Sequence, residues 1–445
     1  MAKDQSFMKD RPVLPLLLSM AVPMMLSMLI QSLYNIVDSI FVSYLGTNAL
    51  TAVSLVFPLQ NLMLAVSLGA GIGVSSLIAR SLGEGNRKSA DLAAATGVWL
   101  SILHSLAFVG VGLFAAKPFL RIFTADPDVL GQAEGYAAII LCFAFGNLLQ
   151  IMMEKIFQAL GEMLITMLLL ASGCIINVIL DPILIFGLFG APAMGVRGAA
   201  IATVIGQTVA FLLYVVIFRC KEIGIRIPLL HTRLDGAMVK KIYAVGIPSA
   251  IMVALPSLLI SLLNGMLVRF SEIYVAVLGV YYKLQTFIYM PANGIVQGMR
   301  PLVSYNYGAR EKGRLKAVVF HSMVLSALVM AAGTAAAQLA PQWILGLFHA
   351  DASLLEAGVP ALRIISLGFL ASTVSIICCG FFEALGKGME SLIISVLRQF
   401  IVIIALGLLL SRFWGPTGIW AAFPIAELTG AVAAIFLYRR AWKAL

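Results

Sequence analysis

The chain has 445 residues, of which 61% are hydrophobic and only 11% are charged, whereas an ordinary soluble domain carries roughly 25% charged residues. Together with a mean hydropathy of +1.01, this composition excludes an ordinary water-soluble fold. The net charge of +10 would suit a nucleic-acid partner in a soluble protein, but in a membrane protein its meaning depends on where the basic residues lie.

Hydropathy, interrupted at charged or Gly/Pro-rich joints, predicts twelve membrane-spanning helices and hence an all-α polytopic membrane protein. In chain order, the helices are expected to begin near residues 12, 50, 90, 131, 163, 197, 237, 274, 315, 354, 389 and 417. The apolar run from Pro12 to about Ser43 is far longer than that of a cleaved signal. We therefore expect the first helix to remain in the mature protein.

The distribution of basic residues predicts the orientation in the membrane. With a cytoplasmic N-terminus, 22 of the 30 Lys and Arg residues fall in inside segments and five in outside segments. This asymmetry predicts a multi-pass protein of the cell membrane with both termini in the cytoplasm. It also accounts for the net charge without nucleic acid, because basic residues facing anionic lipids of the inner leaflet are the usual pattern. Membrane lipids are thus expected partners.

An internal repeat is visible at an offset of 225 residues. At this offset Pro23 aligns with Pro248, residues 123–126 with 348–351, and residues 157–161 with 382–386. Six helices per copy, an even number, make the two copies parallel in the membrane. The repeat predicts two pseudo-symmetric six-helix lobes around a central cleft, an architecture typical of alternating-access transporters. The predicted parts are an N-terminal lobe (1–219), a basic cytoplasmic linker (220–241) and a C-terminal lobe (242–445).

Polar residues that occur in only one copy are the better functional candidates, because residues common to both copies are explained by the shared scaffold. Asp38 aligns with Leu263, and Asp181 aligns with Leu406. An ionisable group inside a membrane helix costs at least about 2.5 to 3.5 kcal/mol, so such residues tend to be functional. The candidate chemistry is therefore concentrated in the N-terminal copy.

Two pairs of these residues have the i, i+4 spacing of a single helix face: Tyr34 with Asp38, and Asn177 with Asp181. If the two faces meet, two carboxylates share a poorly hydrated pocket, where desolvation and like charge favour uptake of one proton or one Na⁺. Two alternatives remain open at this point. Asp38 could lie near the outer water interface, and Asp181 could cap a helix break before Pro182.

Other groups receive weaker predictions. The 20 Met and 25 Phe residues suggest a pliable cleft, for which Asn35, Asp38, Met63, Gln150 and Met290 are the predicted substrate contacts. Long basic side chains near helix ends often reach lipid headgroups, and this is expected of the basic residues in the helices of the second copy. The four charged residues in these helices are therefore assigned no function. They are Lys283, Arg363, Arg398 and Glu427.

No cofactor is predicted. The chain has no P-loop for ATP, so H⁺ or Na⁺ is the expected coupling ion. His104 and His321 lack acidic or Cys partners at ligand spacing, so interior hydrogen bonds are expected for them rather than metal binding. The only metal considered is Na⁺ at Asp38 and Asp181.

The sequence resembles the multidrug and toxic compound extrusion (MATE) family over essentially all twelve helices. The resemblance is carried by Ala-Val-Pro at 21–23, Tyr-Asn-x-x-Asp at 34–38, Gly-Glu-Gly-Asn at 83–86, Gln-Ala-Leu-Gly at 158–161, and Asn-x-x-x-Asp-Pro at 177–182. It implies a V-shaped pair of lobes that exports cationic, amphipathic drugs or dyes in exchange for H⁺ or Na⁺, as a monomer with a role in antibiotic resistance.

The resemblance also implies a cation-binding network. Its members in this sequence are Tyr34, Asp38, Asn177 and Asp181, with Thr203 or Ala199 at the position of the family's threonine. A sodium-coupled branch of the family carries an acidic residue in helix 7, where this chain has Pro256. The alternatives are a flippase for lipids or lipid-linked precursors, which would need basic residues in the cleft, and a membrane-embedded enzyme. The enzyme is disfavoured because the four His residues are scattered along the chain.

Overall fold

The computed structural model describes residues 5–221, 223–229, 235–348 and 351–444. Ten of its helices are long and apolar enough to span a membrane, and two bent helix pairs bring the number of candidate spans to twelve. They are α1 (Val13–Ser43), α2 (Thr47–Gly83), α3 (Arg87–Arg121), α4 (Pro127–Cys142 with Ala144–Ala159), α5 (Met163–Phe186), α6 (Val196–Cys220), α7 (Gly236–Leu267), α8 (Glu272–Gly308), α9 (Lys312–Leu339), α10 (Ala352–Ser366 with Phe369–Ala384), α11 (Gly388–Trp414) and α12 (Pro416–Ala444).

The predicted all-α polytopic fold is confirmed. Each observed helix start lies within four residues of the predicted one, and the described residues form no strand. The agreement has a simple cause, because runs of about 20 apolar residues separated by charged joints leave little choice of where a span begins.

The repeat is visible in local structure as well as in sequence. The bends in α4 (47°) and α10 (51°) occur at equivalent positions of the two copies. Asp126 accepts a hydrogen bond from the backbone N–H of Asp128 at the start of α4, and Asp351 accepts one from Leu354 at the start of α10. These shared aspartates are helix caps. The scaffold interpretation of residues common to both copies is thus confirmed for them.

The chain forms two compact units. Unit 1 consists of Met1–Asp10 and Leu26–Ala250, and unit 2 consists of Arg11–Met25 and Ile251–Leu445. The first part of α1 therefore packs in unit 2, and the first part of α7 packs in unit 1. The lobe boundaries predicted above differ from these units at both segments, because the order of residues along the chain does not show where half of a helix packs.

Close helix crossings hold both of these segments in place. In unit 1, a Cβ atom added at Gly69 or Gly73 of α2 would meet the backbone carbonyl oxygen of Gly246 or Ile242 of α7. In unit 2, the repeat equivalents Gly294 and Gly298 of α8 pack in the same way against the first part of α1. Small residues permit such close approach of helix backbones in membranes.

Candidate functional site

A cluster of polar side chains lies inside unit 1, where α1, α5 and α6 meet. It contains all five residues predicted for ion binding: Tyr34 and Asp38 on α1, Asn177 and Asp181 on α5, and Thr203 on α6. Asn177, Asp181 and Thr203 are buried, and Tyr34 and Asp38 are half-buried. The two i, i+4 faces therefore meet. Helix α5 continues past Asp181 to Phe186, so Asp181 lies within the helix and does not cap a break.

Asn177 links α5 to α6 through its side-chain amide. One orientation of the amide gives both its nitrogen and its oxygen hydrogen-bond partners. In this orientation the nitrogen donates to Asp181 Oδ2 at 2.9 Å. The oxygen accepts from the backbone N–H (2.8 Å) and from Oγ1 (3.2 Å) of Thr203. The phenol of Tyr34 lies 3.5 Å from the same Thr203 Oγ1. The short reach to a backbone N–H is possible because Gly173 and Gly206 bring the two helices together.

The two carboxyl groups of the cluster contact each other. The side chains of Asp38 and Asp181 are close enough to interact, and two carboxylates this close in a poorly hydrated site favour uptake of one proton because their like charges repel. Oδ1 of each residue is buried and has no hydrogen-bond partner among the described protein atoms. A buried oxygen of this kind needs a partner. The arrangement can therefore hold one proton, or it can coordinate a monovalent cation through the buried carboxylate oxygens.

Two further polar residues belong to this environment and were missed from the sequence. Tyr136 of α4 is buried within electrostatic reach of Asp38 and Asp181, and its hydroxyl accepts a hydrogen bond from Gln60 Nε2 at 3.3 Å. Gln60 aligns with Gln285 of the second copy, so it is not among the polar residues that occur in only one copy. The signal in the sequence that could have identified Gln60 is its amide side chain in the middle of an otherwise apolar helix.

A small cavity of about 80 Å³ adjoins the cluster. It is lined by Tyr34, Asn177 and Thr203, and also by Gln150 and Glu154 of α4. Gln150, one of the predicted substrate contacts, thus lies near the ion-binding candidates. Asn35 is exposed on α1. The two methionines predicted as substrate contacts are both buried, Met63 in the apolar core of unit 1 and Met290 in unit 2. A role of these residues in substrate binding stays a prediction.

Lys155 is one of the 22 basic residues counted in the predicted inside segments. It is buried in α4, where its Nζ donates at 3.0 Å to Glu154 Oε1 and at 3.0 Å to Gln158 Oε1. Gly71 of α2 lies against the Lys155 side chain and leaves room for it. Burial is tolerated because the ammonium group is paired and hydrogen-bonded.

Unit 2 contains a second buried charged pair. Arg398 Nη1 donates to Glu427 Oε2 at 3.1 Å and to Oε1 at 3.4 Å. The arginine lies on a π-helical turn, Leu397–Ile401 within α11, beside Gly430 of α12. The expectation that Arg398 reaches lipid headgroups is therefore wrong, because a carboxylate on the neighbouring helix neutralises it. Lys283 and Arg363, by contrast, are exposed.

The histidine expectation is confirmed. His104 Nε2 lies 2.7 Å from the Tyr243 hydroxyl, and His321 Nδ1 lies 2.7 Å from the Ala317 carbonyl oxygen, both at hydrogen-bonding distance. Within the described part of the chain, no group of three or more His, Cys, Asp or Glu side chains is placed to hold a metal ion.

We expect Arg398→Met to destabilise the protein, because it leaves the buried Glu427 carboxylate without its partner. Removing one member of a buried ion pair costs about 3 to 5 kcal/mol, whereas replacing both members with apolar residues is often neutral. The double variant Arg398→Met/Glu427→Met should therefore recover most of the thermal unfolding midpoint of the detergent-purified protein. Arg412→Gln removes an exposed charge and serves as the control. Equal midpoints for the single and double variants would contradict the pairing argument.

Comparison with known proteins gives consistent matches over the whole chain. The family model MatE matches twice, at residues 23–183 and 248–409, so the two matches start 225 residues apart, like the internal repeat. The multidrug export protein MepA of Staphylococcus haemolyticus is 26% identical over 438 residues, which cover 98% of this chain and 96% of that protein. MepA of Staphylococcus saprophyticus is 26% identical over 422 residues, covering 94% and 91%.

The fold of the chain is also similar to that of solved structures. An outward-facing multidrug resistance MATE family transporter of the MOP superfamily has a TM-score of 0.93 at 25% identity, covering 100% of this chain and 99% of that one. A MOP superfamily transporter from Pyrococcus furiosus has a TM-score of 0.92 at 25% identity, with the same coverage. In that protein a binding pocket of reverse polarity suggests a different function.

Proposed function

The chain belongs to the MatE family, whose members are transporters and not enzymes, and from this premise we propose that it is a multidrug exporter. Its substrates would be cationic, amphipathic drugs or dyes, which it would exchange for H⁺ or Na⁺. This proposal agrees with the names of the MepA relatives.

The observation that carries the proposal is the close pair of carboxyl groups of Asp38 and Asp181 inside unit 1. One exchangeable proton resides on this pair, and its loss leaves two negative charges beside Asn177 and Thr203. The close approach of two buried carboxyl groups favours H⁺ as the coupling ion, because one proton relieves their repulsion. A sodium ion would instead bind the two buried Oδ1 atoms.

Exchange requires that ion and substrate weaken each other's binding. A proton on the pair removes the negative charge that attracts a cationic substrate, and a bound cation disfavours protonation in return. We place the resulting conformational response in α1. Asp38 lies in the part of this helix that packs in unit 1, while Pro23 lies in the part that packs in unit 2. Protonation would change the bend of α1 at Pro23 and so drive alternating access.

The setting of this activity is also proposed. We infer from the excess of basic residues in the predicted inside segments that both termini lie in the cytoplasm. We also propose that the protein acts as a monomer in the cell membrane. Asn35, Asp38, Gln150, Met63 and Met290 are the proposed substrate contacts. Membrane lipids surround the helices.

The experiment is ethidium transport into inverted membrane vesicles that contain the protein. Under proton exchange, an acidic lumen should drive ethidium uptake, and a sodium gradient at constant pH should have no effect. Uptake driven only by a sodium-loaded lumen would assign Na⁺ instead. Vesicles from cells without the protein are the control. Transport that responds to neither gradient would contradict the exchange mechanism.

A flippase is the second candidate within the same superfamily. It would need uncompensated basic groups for an anionic headgroup, and the charge of Arg398 is compensated by Glu427. Fluorescent phospholipid translocation in the same vesicles distinguishes the two functions. Lipid translocation without ethidium uptake would support the flippase.

A further inference from the structure

A cavity of about 510 Å³ lies at one end of unit 1, away from the Asp38 and Asp181 pair. It is formed by the start of α3, the end of α6, and residues 221 and 223–227, which follow α6. Its volume falls within the range of about 300 to 1,000 Å³ that is typical of small-molecule sites. The proposed exchange mechanism does not use it.

The chain segment that lines this cavity after α6 is held in place by hydrogen bonds. The backbone N–H of Arg226 donates to Asp91 Oδ1 at 2.7 Å, and Gln5 Nε2 donates to the Ile223 carbonyl oxygen at 3.0 Å. Ile223 and Ile225 are buried. A segment that the sequence suggests is a simple linker is thus tied to α3 and to the N-terminal region by contacts between residues far apart in the chain.

The lining carries a strong positive charge. Four of its ten residues are basic, Arg87, Arg219, Lys221 and Arg226, and one is acidic. That acid, Asp91, already accepts the backbone hydrogen bond from Arg226. Lys221 is 3.6 Å from a carboxylate oxygen of Glu162. Among the described residues, no ion pair joins the guanidinium groups of the three arginines to a carboxylate.

The rest of the lining is largely apolar. Phe218, Ile223, Ile225 and Ile227 complete the walls. Arginine presents a planar fork of donors that matches the oxygens of a phosphate group. Three arginines beside aliphatic and aromatic walls therefore suit a ligand with both a phosphate and an apolar part.

We propose that this cavity binds the phosphate group of an anionic phosphoester, supplied either by a phospholipid headgroup or by a free organic phosphate. The cavity lies at the same end of unit 1 as Gln5, which the proposed orientation places on the cytoplasmic side. Anionic lipids and free phosphates are both present there, and basic pockets between membrane helices on this side suit anionic headgroups. The proposal does not depend on the identity of the exported substrate or of the coupling ion.

Native mass spectrometry of the purified full chain in detergent tests the proposal. Phosphatidylglycerol, phosphatidylcholine with the same acyl chains, and glycerol 3-phosphate are titrated separately. We expect phosphatidylglycerol to bind at least fivefold more tightly than phosphatidylcholine if a lipid supplies the phosphate. Binding of glycerol 3-phosphate at similar affinity would assign the site to free phosphates. Absence of binding of both anionic probes would overturn the proposal.

Matched variants locate the binding. Arg87→Gln/Arg219→Gln should lower the affinity of the bound anionic probe at least tenfold. Lys240→Gln/Lys241→Gln removes the same charge from exposed residues outside the cavity and should change it less than twofold. Equal losses in the two double variants would overturn the site. If the arginine variant does not fold, Ile227→Glu places a carboxylate in the cavity with every arginine kept, and unchanged binding in that variant would equally overturn it.

Discussion

Replacing Asp38 with Asn is expected to abolish drug efflux while the protein remains in the membrane at its normal level. The amide has the shape of the carboxyl group and can still donate to Asp181, so the packing of α1 against α5 should survive. It cannot exchange a proton, however, and it removes one of the two negative charges of the pair. Because coupling depends on this exchange, efflux should fall to the level of cells without the protein.

The measurement is ethidium efflux from cells that lack their own exporters, with the membrane content of the protein determined by immunoblot. Asp128→Asn is the matched control, because Asp128 is an exposed aspartate near the start of α4. It should transport normally. Asp181→Asn should behave like Asp38→Asn, since the two carboxyl groups interact and are proposed to share one proton. Normal efflux by Asp38→Asn would remove the basis of the proposed mechanism.

The second large effect is expected from Gly69→Ala/Gly73→Ala, which adds two Cβ atoms at the crossing of α2 and α7. Each Cβ would meet a backbone carbonyl oxygen, that of Gly246 or that of Ile242. A backbone cannot turn away as a flexible side chain can, so the helices must separate. Overpacking typically costs about 1 to 3 kcal/mol per site, and we expect a clearly lower thermal unfolding midpoint together with poor recovery from the membrane.

Two other helical glycines provide the control for this prediction. A Cβ atom at Gly110 or Gly131 meets no atom within 4 Å, and alanine is favoured over glycine in a helix interior by about 1 kcal/mol. Gly110→Ala and Gly131→Ala should therefore leave the unfolding midpoint unchanged or raise it. Unfolding midpoints that do not differ between the two sets of variants would show that the crossing is not tightly packed. Gly294→Ala/Gly298→Ala should reproduce the loss in unit 2.

The candidate site was largely predictable because its residues are unusual for their surroundings. Asp38 and Asp181 are charged groups in apolar helices, and the i, i+4 spacing to Tyr34 and Asn177 places each pair on one helix face. Thr203 was identified through the family resemblance. Tyr136 was not found, since an aromatic residue in an apolar helix is usual and only its position next to the carboxyl groups distinguishes it.

The charged residues of α4 and α11 show where prediction from sequence fails. Arg398 was expected at lipid headgroups and the burial of Lys155 was not foreseen, because an isolated basic side chain avoids the interior of a membrane protein. Both are buried because each has a carboxylate partner, Glu154 on the same helix and Glu427 on the neighbouring one. Whether a charge is isolated or paired depends on helix packing and side-chain orientation.

The sequence by itself determined the number and starts of the helices, the twofold repeat and the faces that carry the ion-binding candidates. These features depend on the composition of short segments, on local spacing and on self-similarity. The tertiary structure alone decided that the first parts of α1 and α7 pack in the unit formed mainly by the other copy, and which buried charges are paired. It also decided how the basic cavity forms, through contacts such as that of Asp91 with Arg226. The physical reason is that helix packing joins residues far apart in the chain, and that side-chain orientation in the packed structure decides which charges pair, so neither depends on local sequence alone.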